Sequence, residues 1–321
     1  MSTRRATFAA LAALSVAPGS ATAAWPDRPI QWLVGFPAGS GPDLLTRLLT
    51  QRLEAAFGQS IVIENRLGAA GNLAAGLLAR AAPDGLTLGT LPAAPLAVNR
   101  HVYRRLPFDP GRDFTLLSEF ARFPAVVMVH PSVPVATLAE LNTWLAAQDP
   151  PALCATPGAG VIPHLATELL MRRLGQRCEP VHYRGNPDAL RDLSAGRVPM
   201  MIDAFPTALP LVRDGRARGL AVTGLTRSPL APGLPPVAET LPGFEAASWL
   251  AVGAPAGLPG ATAARIEAAV MAAAAEPDLV QRFADLGAEA IGSTRAALGA
   301  RVAAEDARWG ELVRAANITA D

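Results

Sequence analysis

From Ile30 to Phe36 the chain is apolar almost without interruption, the pattern of a strand covered on both faces. At Pro42 the period changes. Leu44, Leu45, Leu48, Leu49, Leu53 and Ala56 recur on one side of a helix. Pro42 suits a first-turn position, Asp43 the positive end of the helix dipole, and Gly58 a terminator. Residues 60–65 (SIVIEN) then alternate as a second strand. A glycine loop follows at 66–72 (RLGAAGN), a second helix over Leu73–Ala82, and a third strand at 84–91 (DGLTLGTL). Strands alternating with helices predict a parallel sheet.

The same grammar restarts in the middle of the chain. A strand at 152–156 (ALCAT) leads into a glycine loop at 157–162 (PGAGVI), and Pro163 starts a helix that runs to about Leu174, with Gly175 after it. Strands at 179–185, 198–203 and 219–225 follow, with a short helix over Asp188–Ala195. Between the two units lies an apolar strand flanked by prolines, 123–134 (FPAVVMVHPSVP). A similar one, 248–257 (SWLAVGAPAG), follows the second unit. These read as two crossings between domains. The tail from Thr262 to Thr319 reads as helical and is expected to pack back on the first unit. The pattern predicts an α/β protein of two lobes, each a mainly parallel sheet flanked by helices. The cleft between them lies at the C-terminal ends of the strands, where open α/β sheets bind ligands.

The loop of the first unit, Gly35 to Asp43 (GFPAGSGPD), has the strand–glycine–helix layout of an anion site but no lysine or arginine. Read on its own, it is either an ordinary βα turn or a site that holds an anion with backbone N–H groups and the helix dipole. Several such neutral donors bind an anion firmly but reversibly.

Composition narrows the function classes. The chain has 321 residues, 50% of them apolar, and a net charge of +1, so no nucleic-acid partner is implied. All 28 basic residues are arginine, which excludes a Schiff-base lysine and a phosphate-loop lysine. Arg4 and Arg5, the apolar stretch Ala6–Ala17 and Ala21-Thr22-Ala23 form the three parts of an export leader. Residues 1–23 are therefore expected to be removed, leaving a mature chain that begins near Ala24 and works outside the cytoplasm. Cys154 and Cys178 either form a disulfide, which that compartment permits, or stay as two buried thiols. An enzyme is not expected. Gly39-Ser40-Gly41 is no nucleophile elbow, because Pro37 stands where its first glycine belongs. His101, His130, His164 and His182 are scattered rather than clustered for a metal. No cofactor is expected.

Seven segments in order resemble the Bug-type extracytoplasmic solute receptors, the substrate-binding proteins of tripartite tricarboxylate transporters. They are 25–43 (WPDRPIQWLVGFPAGSGPD), 58–90 (GQSIVIENRLGAAGNLAAGLLARAAPDGLTLGT), 102–114 (VYRRLPFDPGRDF), 155–170 (ATPGAGVIPHLATELL), 182–198 (HYRGNPDALRDLSAGRV), 219–224 (GLAVTG) and 254–259 (APAGLP). The resemblance implies a two-lobed, type II-like venus-flytrap periplasmic binding protein without catalytic activity. Its first lobe would be 24–124 with 249–321, its second 125–248, and its hinge strands would lie near 124–130 and 248–254. It implies a small carboxylate ligand (a di- or tricarboxylate, an aromatic acid or an amino acid), delivery to membrane transport subunits, and a monomer. A receptor of the same fold that docks a signalling partner is the alternative, and a secreted hydrolase a remote one. Carried over, the ligand side of the first lobe is Phe36, Ala38, Gly39, Ser40 and Asp43, and that of the second is Thr156, Gly158, Gly160, His164, Tyr183 and Asp203. Ala38 and Ser40 depart from the family's usual proline and second glycine. Ser40 either adds a hydroxyl to the site or caps the helix. In family members that bind amino acids a matching Asp meets the ligand amine; otherwise Asp203 caps the segment at Phe205.

Overall fold

A computed structural model describes residues 25–319, so the expected leader lies outside the described residues. The first half runs β1 (Ile30–Val34), α1 (Gly41–Phe57), β2 (Ile61–Asn65), α2 (Asn72–Ala79) and β3 (Thr87–Pro92). β1 is central and pairs in parallel with both β2 and β3. That position explains its apolar run: Ile30, Trp32 and Val34 are fully buried. Leu45, Leu49 and Leu53 of α1 join them in one core cluster. Gly58 stops α1 with φ +69°, and its N–H bonds Glu54 O. α2 ends three residues earlier than its pattern suggests, because Pro83 disfavours helical geometry at the residue before it.

After the short α3 (Asn99–Val102) comes β4 (Phe114–Val129), the longest strand of the sheet. The second half runs α4 (Leu138–Ala146), β5 (Leu153–Thr156), α5 (Ile162–Leu174), β6 (Glu179–His182), α6 (Asn186–Ser194), β7 (Met200–Ala204), α7 (Phe205–Arg213), β8 (Arg218–Val222) and α8 (Val237–Thr240). β5 is parallel to β6 and β7. Cys154 on β5 and Cys178 just before β6 are disulfide-bonded, with Cα atoms 5.9 Å apart.

β4 belongs to both halves. Its residues up to Pro124 pair antiparallel with β9 (Ala247–Pro255), while Ala125–Val129 lie between β7 and β8. β9 also pairs with β3, giving the order β2-β1-β3-β9-β4-β7-β5-β6. The sheet is thus parallel within each half and antiparallel where the halves are joined. One buried side chain staples the junction. Thr223 Oγ1 accepts the Ala125 N–H at 2.8 Å and donates to Ala246 O at 2.5 Å.

The chain then returns through α9 (Gly260–Ala274), α10 (Pro277–Asp285), β10 (Glu289–Ala290) and α11 (Arg295–Ala316). α9 packs on α1 and β4, and β10 extends the sheet on β4. The tail does more than cover the first half: Arg172 of α5 donates to Ala315 O at 2.9 Å, tying α11 to the second half. No helix among the described residues is long and apolar enough to cross a membrane.

Candidate ligand site between the two halves

The loop between β1 and α1 is organised by Asp43. Its Oδ2 accepts the Gly39 N–H and Arg47 Nε, each at 2.9 Å, and its Oδ1 accepts Asn65 Nδ2 at 2.8 Å. Burial pushes the Asp43 carboxyl up, but the bonds from Arg47, Asn65 and Gly39 outweigh it and hold it below the usual carboxylate range. Ser40 N–H donates to Pro37 O at 3.1 Å. The amides of Gly39 and Ser40 are therefore engaged inside the loop, and Asp43 shapes it from behind. Gly39 is exposed with φ +79°, and a Cβ there would meet nothing within 4 Å, so its glycine serves the turn rather than a close approach. Ala38 is also exposed. Ser40 stands at the N-cap without making a side-chain cap bond, and its buried Oγ has no partner among the described residues. Phe36 turns inward and is 8% exposed.

The loop after β5 is held in the same way. Gly160 N–H donates to His164 Nδ1 at 3.0 Å, which leaves the proton of neutral His164 on Nε2, 3.6 Å from Glu168. The His164 and His182 rings meet edge to face at 4.8 Å, and His182 Nδ1 lies 2.7 Å from Thr156 Oγ1. His164 and Thr156 thus fix this loop's shape with Gly158 and Gly160 between them. Tyr183 donates its hydroxyl to Asp192 at 3.0 Å; partial burial, and then that neighbour, raise its pKa.

Asp203, the penultimate residue of β7, is fully buried. Thr207 Oγ1 donates to its Oδ2 at 2.7 Å, and Asn186 Nδ2 donates to its Oδ1. Burial pushes its carboxyl up to about 7 against the opposing bonds from Thr207, the Ala204 N–H and Asn186.

The two halves close on each other across these loops. A Cβ on Gly185 would lie 2.6 Å from Pro37 Cγ, and one on Gly160 would lie 2.9 Å from Asn99 Oδ1. Tyr103 Oη reaches Ala159 O at 3.4 Å. Between the halves remains a cavity of about 40 Å³, room for a few waters at most, walled by both halves and by β4 and β9. A wider recess of about 410 Å³ at its mouth shares Phe36 and Pro157 with it, and Gly158, Tyr183 and Arg184 line that recess.

Four helices begin at the cavity: α1 at Pro42, α5 at Ile162 and Pro163, α6 at Asn186, and α7 just after Ala204. Each carries a proline in its first turn, and none makes a side-chain cap bond. Residues at or beside these four helix starts therefore lie together at the cavity, with no charged side chain among its lining residues; a helix N-terminus carries unpaired N–H groups and the positive end of the dipole. Of the site residues expected from the sequence, only Phe36 lines this cavity. Gly158 and Tyr183 line its mouth, while Asp43, His164 and Asp203 stand behind the wall. Sequence reasoning missed Asn186, Phe123, Ser248 and Trp249. The apolar runs around Phe123 and Trp249 marked those residues as strands, but nothing local marked them as cavity wall.

Three comparisons bear on this arrangement. A family model for the tripartite tricarboxylate transporter family receptor matches residues 45–318. A UPF0065 protein encoded in the tcbD-tcbE intergenic region of Pseudomonas sp. strain P51 is 36% identical over 293 residues, covering 90% of this chain and 87% of its own. Among solved structures, R. palustris Rpa4515 with adipate aligns with a TM-score of 0.89 at 37% identity, covering 92% of this chain and 99% of that one. The periplasmic binding protein BugD aligns with a TM-score of 0.84 at 28% identity, covering 92% and 99%.

Proposed function

The chain belongs to the tripartite tricarboxylate transporter receptor family, and from that premise we propose that it captures a small carboxylate between its lobes in the periplasm and delivers it to membrane transport subunits. Solute capture, not catalysis, is the work of this family, and the similar Rpa4515 holds a dicarboxylate, adipate. The observation that carries the reading is that four helices without side-chain caps start at one interlobe cavity that no charged side chain lines. Each helix end contributes about 0.3–1 kcal/mol toward an anion, without the fixed cation that would slow release.

In this reading the lobes are 24–124 with 249–321, and 125–248. They hinge where β4 and β9 join the halves, near 124–130 and 248–254. The cavity is far smaller than the ~300–1,000 Å³ of typical ligand pockets, so entry requires the lobes to part. Opening would turn the small cavity and its mouth into one cleft. The test is a thermal-shift screen of the mature protein over mono-, di- and tricarboxylates, aromatic acids and amino acids. A ligand at about 100 times its Kd adds about 2.7 kcal/mol of stability. Upward shifts with carboxylates and smaller ones with the matching primary amides at the same concentration are the expected result. A protein stabilised by no carboxylate would contradict the reading.

A further inference from the structure

The cavity wall is apolar almost throughout, built by Phe36, Phe123, Ile162 and Trp249 with small residues between them. One of its few polar groups, Asn186, is 4% exposed and has a fixed orientation. Its Nδ2 donates to Asp203 Oδ1. Asp203 is itself locked from behind by Thr207 Oγ1 at 2.7 Å and by the Ala204 N–H. With the amide nitrogen turned to Asp203, the amide oxygen is the end left over. Among the described residues no group donates to Asn186 Oδ1. Asp203 does not line the cavity; Asn186 stands in its place.

We propose that Asn186, oriented by Asp203, selects among carboxylates. It offers the cavity a neutral acceptor, so it favours a monocarboxylate with an apolar body that carries one neutral donor, a hydroxyl, at the far end from its charge. This rests on the carboxylate reading above and names the class within it. A second carboxylate reaching Asn186 meets an oxygen lone pair and no cation, and the ~0.3–1 kcal/mol that the α6 N-terminus offers an anion does not offset that repulsion and the cost of desolvation. A methyl group there leaves the amide oxygen unpaired. A hydroxyl supplies the missing hydrogen bond. Sites built to pair a ligand hydroxyl discriminate strongly against analogues that lack it. Asp203 is the positioning residue: it decides which end of the amide faces the ligand.

The experiment is calorimetric titration of two matched sets of acids. One is 4-hydroxybutyrate, pentanoate and glutarate; the other is 4-hydroxyphenylacetate, 4-methylphenylacetate and 4-carboxyphenylacetate. In at least one set the wild type should bind the hydroxyl member about tenfold or more tighter than the methyl member, and the second carboxylate weakest. Asn186→Leu should bring the hydroxyl and methyl members to equal affinity. Asp203→Asn frees the Asn186 amide to turn, and should shrink the hydroxyl-over-carboxylate ratio. A purely structural loss would weaken all members alike and leave the ratios unmoved. Tightest wild-type binding by a di- or tricarboxylate, here or in the broad screen, overturns the assignment to Asn186 and leaves the carboxylate reading standing. So does a hydroxyl preference that survives Asn186→Leu, or binding of none of the six acids when other carboxylates bind. Failure of every carboxylate in the screen overturns both.

Discussion

Asp43 in the first turn of α1 and Asp203 near the end of β7 are both buried carboxylates, one in each half, yet their environments push them in opposite directions. Asp43 is held low by Arg47, Asn65 and Gly39, whereas burial raises Asp203 to about 7. The sign for Asp203 follows from linkage. Its folded pKa lies above its unfolded value of ~3.9, so the folded state binds more protons between those values. Its contribution to stability is full below about pH 4 and is lost as pH rises to about 7, with a slope of at most ~1.4 kcal/mol per pH unit. Asp43 acts oppositely, its contribution being lost only as pH falls below the ordinary carboxylate range. Urea denaturation of wild type and Asp203→Asn at pH 5 and pH 7.5 separates the two. Wild type should lose stability over that interval relative to the variant, and parallel behaviour would show that Asp203 titrates normally.

At the scale of elements, β4 carries the join. It changes partners at Pro124–Ala125, and Thr223 ties that point to Ala246, just before β9. Thr223→Val keeps the shape but leaves a buried N–H and a buried C=O without their partner. By the usual cost of such groups this is about 2–4 kcal/mol of stability. A loss below about 0.5 kcal/mol in urea denaturation would show that the staple contributes little.

Much at this scale is legible in sequence. The run Ile30–Val34 and the glycines ending α1 and α5, both at φ +69°, declare themselves through local period and local conformation. The partnership of β3 with β9, and of Phe123 with Trp249 in one wall, does not, because each joins residues more than a hundred positions apart. Of the carried-over residues, Phe36 lines the cavity and Gly158 and Tyr183 line its mouth. Asp43 and His164, however, serve their loops' own shape, and Asn186 stands in front of Asp203. Local pattern marks a loop as a site; it does not say which of its donors the loop uses for itself.

For the whole molecule, the closed arrangement depends on backbone meeting side chain across the cleft. Gly185 has extended geometry that any residue adopts (φ 162°, ψ 176°), so an alanine there leaves the second half unstrained. Its Cβ nevertheless falls 2.6 Å from Pro37 Cγ of the first half. Gly185→Ala should therefore fold normally but resist closure. Small-angle scattering at saturating ligand should show wild type contracting, and the variant remaining near its unliganded size with weaker affinity. Equal contraction would place the closing surfaces elsewhere.

The central claim is that the helix N-termini at the cavity, not a cation, hold the charge of the ligand. The most direct test compares the affinity of wild type for the best carboxylate of the screen with its affinity for the primary amide of the same skeleton, by calorimetry at fixed ionic strength. Four helix ends at about 0.3–1 kcal/mol each predict that the amide binds roughly 10- to 1,000-fold more weakly. Equal affinity for the acid and its amide would contradict the account.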